Sequence, residues 1–588
     1  MKRVEYYTNQ IASLTDRLEI AQKKYQFFSF LRLLFFSVLV LMTFLFWYSS
    51  LLIPVILFCF ILFLFAVSRS VDAKYRRDKF LILIEINKNE IEVLKGDWLM
   101  FDEGNEFKDS KHPFSNDLDV FGSKSVFQLL NRTVSIEGKN KLAHALMYGT
   151  NSIELNNKAI NELSANIEWC QEFMSEGVVL KKEKGHPKSL DKLKELIVFI
   201  PKGLKFFRYI LPIVAFFSTS LFLLGIINGV VFSALFVLLM LPIAINIKST
   251  NLLAIHVMDQ STRVKIIVKQ LEHFRELKLK DELLVARQNE FFNSNESVLA
   301  AFSELDKITK RFEFRLNFLI SVLLNFFLSW DFQLTYQMNN WLNKNQSKLQ
   351  DWEDKLADLE VWISGAVFQF NHEDTTFPIF TESNDIEVKG IAHPFVDSKK
   401  KVKNDVSFHE NENFLIITGP NMAGKSTYLR SLGLLFVFSN AGFPVLADYC
   451  KIPKMKLYSS MRTSDDLTVE SSYFHAELMR LRFIVDAIEQ GEKVFVILDE
   501  ILKGTNSKDK EIGSTKFLQK LTSLNSKGVI ATHDLSLCKL TNESSVYKNM
   551  YFDSTILDDE LHFSYTINEG ICQNMNASFL LKKMNLVD

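Results

Sequence analysis

The chain has 588 residues, too many for one hydrophobic core, so two or more domains are expected. A formal net charge of −1 excludes a global basic field, so any nucleic-acid contact has to come from a local basic face. The five cysteines, Cys59, Cys170, Cys450, Cys538 and Cys572, lack paired spacing, which argues against a disulfide framework or a zinc site and fits a reducing cytosol.

Met1 to Gln26 reads as a short amphipathic helix leading to a membrane. From Leu33 to Ser68 no side chain is charged, a run long enough for two spans when one needs only about 20 residues. Trp47-Tyr48-Ser49-Ser50 and Pro54 in its middle give an aromatic belt and a turn, so two short helices in a hairpin are predicted. A second uncharged block, Tyr209 to Ile247, has Asn228-Gly229 near its centre and predicts a second hairpin. Arg32 precedes the first hairpin and Arg69, Lys74, Arg76 and Arg77 follow it. Lys202, Lys205 and Arg208 precede the second, and Lys248 follows. Basic residues at every flank place both hairpin bases in the cytoplasm, giving four spans and an integral inner-membrane protein whose C-terminal domain is cytoplasmic. Buried core helices are the competing reading, but such helices rarely lack every charge over this length.

The resulting plan assigns 1–95 to the N-terminal helix and first hairpin and 96–116, rich in Gly, Asp and Lys, to a linker. Residues 117–385 show helix-period apolar positions among many Lys and Glu, a long-helix core or lever domain interrupted by the second hairpin. From about Ile386, short β-like runs alternate with helices, so 386–588 is predicted to be an α/β domain.

That last region carries the chemistry. Phe414-Leu415-Ile416-Ile417-Thr418 suits a buried parallel strand and leads into Gly419-Pro420-Asn421-Met422-Ala423-Gly424-Lys425-Ser426-Thr427, a GxxxxGK[ST] phosphate loop. The glycines let the backbone aim its N–H groups at a phosphate. Lys425 reaches the β- and γ-phosphates of ATP, and the Ser426 hydroxyl ligates Mg²⁺. A second apolar run, Val494 to Leu498, carries Asp499 to the sheet edge as a metal-site residue, with Glu500 next to it to orient or deprotonate water. A third, Val529 to Thr532, ends in His533, a candidate γ-phosphate contact. Two solvated acids and a structural histidine would be the bland interpretation of these residues taken singly; their association with the loop favours a site.

Thr418 to Arg430 resembles the phosphate loop of the MutS family nearly throughout. Ser464-Asp465-Asp466-Leu467, Ser472-Tyr473-Phe474 and Glu477 resemble its signature segment. Asp499-Glu500 with Gly504-Thr505 and Asp509 resemble its Walker B region, Ala531-Thr532-His533 its switch histidine, and Ala392-His393-Pro394 the opening of its ATPase domain. Ser125 to Gly138 is similar to the start of its helical core. The resemblance implies a head-to-tail homodimer of ATPase domains, with Ser472 of one copy facing the γ-phosphate held by Lys425 of the other. It also implies an adenine-side loop at Val402 and Asn404. Departures accompany it. A membrane hairpin stands where the family has its mismatch-reading domain, Phe101-Asp102-Glu103 matches the wedge tripeptide only by coincidence, and Leu502-Lys503 replace the usual Gly-Arg. After about Gly570 too little remains for a C-terminal dimerisation module.

The expected function is therefore a membrane-anchored MutS-like ATPase. The family implies DNA binding and mismatch repair, whereas the residues leave DNA open. Basic helices such as Arg263 to Lys280 could meet phosphates, though a solvated face is the commoner explanation. One alternative is a transporter of the ATP-binding-cassette kind, but four spans are few, the spans hold no ionisable residue, and Glu470 to Phe474 lacks the Ser-Gly-Gly-Gln run. The other is a membrane scaffold that uses ATP without DNA; Glu500 argues for turnover instead.

Overall fold

The computed structural model describes residues 2–49, 51–184, 190–196, 203–293, 297–397, 399–461, 473–557 and 560–573. Lys202, Ser464 to Leu467 and Ser472 lie outside them. The chain is multidomain and folds into two units. One gathers residues 1–88, 133–140 and 166–361; the other gathers 89–132, 141–165 and 362–588. These units cut across the linear plan, because each is assembled from three separated stretches of chain.

The first unit is helical. Nothing between Lys2 and Leu45 is Pro or Gly, and the expected short N-terminal helix and first apolar segment are one element, α1 (Lys2–Leu45, 44 residues). After the turn at Trp47, α2 (Leu52–Leu94) runs for 43 residues. Pro54 falls in its first turn, where the missing N–H would have had no helical partner. The helices of the first hairpin are thus long rather than short. Next come α3 (Ile167–Lys184), α4 (Leu204–Leu223) and α5 (Gly229–Asp259). The Asn228 side chain caps α5 by accepting from Val231 N at 3.0 Å, which makes Asn228-Gly229 the turn. Among the described residues, four helices, α1, α2, Lys205–Leu223 within α4, and α5, are long and apolar enough to cross a membrane.

Behind them follow α6 (Ser261–Glu276), α7 (Val298–Glu313), α8 (Phe318–Leu328), α9 (Trp330–Asn345) and α10 (Leu349–Asn371). Within the basic stretch from Arg263 to Lys280, the first cation is closed to phosphate. Arg263 is 2% exposed and pairs with Glu137 at 3.1 Å, since a buried guanidinium needs a carboxylate. Lys265 meets Glu313 at 3.3 Å and Lys269 meets Glu272 at 3.0 Å. Nearby, Glu360 is buried and accepts from Val134 N, Ser135 N and Ser135 Oγ at 2.9–3.0 Å, joining α10 to the chain before the helix Ile136–Tyr148.

The second unit is α/β. A four-stranded sheet has the order β1 (Ile379–Thr381), β5 (Tyr449–Pro453), β2 (Ile386–Ile391), β3 (Asn404–Phe408). A six-stranded sheet has the order β10 (Glu560–Glu569), β9 (Tyr547–Leu557), β4 (Phe414–Thr418), β8 (Lys527–Ala531), β7 (Val494–Asp499), β6 (Lys456–Ser460). All its neighbours run parallel except the β9–β10 hairpin. Every residue of β4 and β8 is buried, as continuous apolar strands covered on both faces should be. Helices α11 (Lys425–Ala441), α12 (Tyr473–Glu489) and α13 (Ser507–Ser523) complete the layers, with Phe436 of α11 stacked on Phe495 of β7 at 4.4 Å.

The segment 96–116, expected as a linker, is built into this unit. Trp98, His112 and Phe114 are buried, and Arg480 donates to the carbonyls of His112 and Pro113. Its Gly and Asp content suggested an open chain, but the interspersed aromatics supply enough apolar area to fix it. Phe101 lies under the Arg132 guanidinium at 3.7 Å, and Arg132 forks onto Glu90 at 2.6 and 3.0 Å. That ring is part of the packing, not a projecting wedge.

Candidate active site

The site grows from the carboxyl edge of the parallel sheet, where strand ends converge and helix N-termini face them. As the chain leaves β4, Gly419 has φ 145°, and a Cβ there would come 2.6 Å from the Phe552 carbonyl oxygen of β9. Only glycine fits. Gly424, at φ 106°, caps α11 and lies beneath the Tyr565 ring, 3.2 Å from where its Cβ would be. The loop curls back over its own lysine, so Lys425 Nζ donates to the Gly419 and Pro420 carbonyls at 2.7 and 3.0 Å.

Strands β7 and β8 bring the other groups to the same place. The Ser426 hydroxyl donates to Asp499 Oδ2 at 2.8 Å. Beyond Asp499 the backbone turns sharply, with Glu500 and Leu502 at φ 51° and 59°. Glu500 N donates to Ala531 O and Thr532 N to Ile417 O, lacing three strand ends together. His533 Nε2 is 3.3 Å from Lys425 Nζ and 3.4 Å from Glu500 Oε1. Burial, reinforced by the Lys425 charge, holds the His533 pKa below its ordinary value, so its neutral ring can accept from the lysine. Burial also lowers the Lys425 pKa, against the opposing pull of Asp499 and Glu500.

A further connection was not foreseen. Glu477 of α12 is buried and accepts from Leu502 N at 2.5 Å, while Phe474 packs against Gly504, where a Cβ would approach within 2.8 Å. The start of α12 is thereby keyed to the turn that carries Glu500. Lys503 Nζ stands 3.6 Å from Glu500 Oε2.

Of the residues singled out from sequence, Gly419 through Thr427 form the loop. Lys425, Ser426, Asp499, Glu500 and His533 lie together around it. Val402 and Asn404 line a cavity of about 260 Å³ beside it, with His393, Tyr428, Phe552 and Tyr565. Asn404 donates to Tyr565 O at 3.0 Å and accepts from Ile567 N at 2.8 Å, pinning the β10 strand over the cavity. Burial depresses His393 to a pKa of about 4, leaving a neutral ring in the wall. Sequence reasoning missed Phe552 and Tyr565. They arrive from the β9–β10 hairpin, Tyr565 lying 161 positions beyond Asn404, and no local spacing marks them.

The donor set suits a magnesium-bound nucleoside triphosphate. A hydroxyl and a carboxylate oxygen 2.8 Å apart are hard ligands for Mg²⁺, next to an ammonium group and a helix N-terminus for anionic oxygens.

Residues 415–584 match the family model described as MutS domain V. The DNA mismatch repair protein MutS of Fusobacterium nucleatum is 29% identical over 219 residues, 36% of this chain and 24% of that protein. Human MutS protein homolog 4 is 30% identical over 236 residues, 38% of this chain and 25% of its own length. The Thermotoga petrophila DNA mismatch repair protein MutS is 29% identical over 237 residues, 39% of this chain and 29% of its own. The chain therefore spans only about a quarter of the length of these relatives.

Proposed function

Because the chain belongs to the MutS family through its domain V, we propose that it is an ATPase anchored in a membrane by two helical hairpins, with its catalytic unit in the cytoplasm. The observation that carries the reading is the convergence of Lys425, Ser426, Asp499, Glu500 and His533 at one sheet edge. Bound MgATP supplies a transferable phosphoryl group whose developing charge must be neutralised. Lys425 exchanges its loop carbonyls for the β- and γ-phosphate oxygens. Ser426 and Asp499 would hold Mg²⁺ and its water shell. Glu500 positions the attacking water and accepts its proton. His533, kept neutral by its surroundings, contacts the γ-phosphate and senses its loss. The cavity walled by Val402, Asn404 and Tyr565 takes the base.

Family membership supports a head-to-tail dimer in which Ser472 of a second copy completes the site. The attachment of α12 to the Glu500 turn would let that arrival act on the water-activating residue. The names of the relatives point to DNA as the partner that the ATPase serves, with mismatch repair the related process.

The test is phosphate release by purified full-length protein and by Glu500→Gln, with and without duplex DNA. The variant should bind ATP as the parent does and turn over about 10²–10⁴-fold more slowly. Unchanged turnover would remove Glu500 from its role; a parent rate indifferent to every duplex tried would remove DNA.

A further inference from the structure

Helix α8 was not marked in the sequence as a membrane element, and its exposure is anomalous for a water-facing helix. Leu316, Phe318 and Leu319 are 72–77% exposed, and no charged residue lies between Arg315 and Asp331. Its inner face is packed on the second hairpin. Phe326 meets Phe236 at 4.8 Å and Phe232 at 6.2 Å, and Phe327 meets Phe216 at 5.3 Å.

The two ends of this segment are held at the hairpin's base. On the way in, Arg315 donates to Asn251 Oδ1 at 2.8 Å, just past the apolar run of α5. On the way out, Phe332 stacks on Phe207 at 6.3 Å and Gln333 donates to the Arg208 carbonyl at 2.8 Å, at the charged collar of α4. Arg315 also forks onto Asp331 at 2.7 and 2.9 Å, and Trp330 Nε1 donates to Arg311 O at 3.3 Å, so entrance and exit are tied to each other. Between them Phe326 reaches Phe236, some 22 Å of helix above Asn251. Eleven helical residues extend about 16 Å, half of a hydrocarbon core of about 30 Å. Two backbone N–H groups of the return turn are satisfied from the end of α8, as a lipid setting demands of backbone donors. Ser329, at φ 47°, donates its N–H to Asn325 O at 2.9 Å, and Asp331 N donates to Asn325 Oδ1 at 2.9 Å.

From this geometry we propose that residues 316–330 form a re-entrant element, entering the same bilayer as the second hairpin from the cytoplasmic side and leaving on that side. The proposal rests on the hairpins being membrane spans. The exposed face of α8 continues the apolar outer surface of α4 and α5, where Ile213, Phe217 and Val237 are 65–67% exposed, so lipid acyl chains are the occupant that covers both. The device would couple the lipid leaflet to α9, which begins at the return turn and bends away by 80°.

The experiment uses full-length protein in phosphatidylcholine–phosphatidylglycerol vesicles, with bimane attached to Leu323→Cys, Val237→Cys or Lys278→Cys. The five native cysteines are buried, and the parent chain provides the blank. Acyl-chain nitroxides should quench Leu323→Cys and Val237→Cys several-fold more than Lys278→Cys, and aqueous iodide should do the reverse. Quenching of Leu323→Cys like Lys278→Cys, with Val237→Cys still lipid-quenched, overturns the re-entrant element and leaves anchoring intact. Failure of Val237→Cys to be quenched overturns anchoring itself. An impermeant maleimide should modify Phe314→Cys and Trp330→Cys from the same side of sealed vesicles; modification from opposite sides would make the segment a span and refute the return.

Discussion

Replacing Gly419 by alanine tests the loop geometry without touching any charged group. At φ 145° a side chain is strained, and the new Cβ would come 2.6 Å from the Phe552 carbonyl oxygen. That oxygen cannot retreat freely, because β9 is hydrogen-bonded in register to β4, with Tyr551 opposite Thr418. The loop must move instead. Holding a non-glycine residue in such a region costs about 1–3 kcal/mol. If the displacement must be undone for phosphate to bind, ATP affinity falls roughly 5- to 150-fold, at about 1.4 kcal/mol per decade. Gly491→Ala is the control: its φ is 88°, and nothing lies within 4 Å of the added atom. It carries backbone strain away from the site, so it should lower stability and leave affinity alone. Titration of a fluorescent ATP analogue into detergent-purified protein, with a urea melt of each variant, separates the two effects. Parental affinity in Gly419→Ala, or an equal loss in Gly491→Ala, would refute the reasoning.

Asn404→Ala removes both bonds that hold β10 over the cavity, and should weaken nucleotide binding about 5- to 30-fold while sparing inorganic pyrophosphate competition, read by the same titration. Glu360→Ala should lower stability by about 2–5 kcal/mol, since Val134 N and Ser135 N lose a buried acceptor, whereas Glu360→Gln keeps an acceptor oxygen and should lose less in a urea melt. His112, His372 and His393 are each held by burial at a pKa of about 4, below the ordinary 6.5. The unfolded chain therefore takes up protons that the folded chain refuses. Their contribution is intact above pH 6.5 and is lost as pH falls toward 4, at up to about 1.4 kcal/mol per pH unit for each histidine. His372→Gln should flatten that slope in urea melts from pH 7.5 to 5; an unchanged slope would contradict the assignment.

Much of the candidate site could be read directly, because its residues are contiguous or end apolar runs. GxxxxGK[ST] is a local backbone device, and a buried parallel strand announces itself as an unbroken apolar stretch, so Lys425, Asp499 and Glu500 could be placed before any fold was known. The apolar runs likewise marked four helices by the absence of charge alone. Local composition misled where burial was decided elsewhere. The 96–116 segment looked open because its Gly and Asp outnumber its aromatics, yet Trp98 and Phe114 find partners far along the chain and fix it. Arg263 stood in a stretch best explained as a solvated face, yet its carboxylate partner, 126 positions earlier, takes it into the core.

What the linear chain determined by itself was pattern that needs only neighbours: a GxxxxGK[ST] loop, acids at a strand end, and helices long and apolar enough to cross a membrane. Tertiary structure alone decided which distant groups meet them. Tyr565 over Gly424, Glu477 beneath the Glu500 turn and α8 against the second hairpin depend on pairings across long stretches of chain. The physical reason is that such contacts arise from burying shared apolar area and satisfying isolated polar groups. Both are properties of the assembled fold, and no residue spacing encodes them.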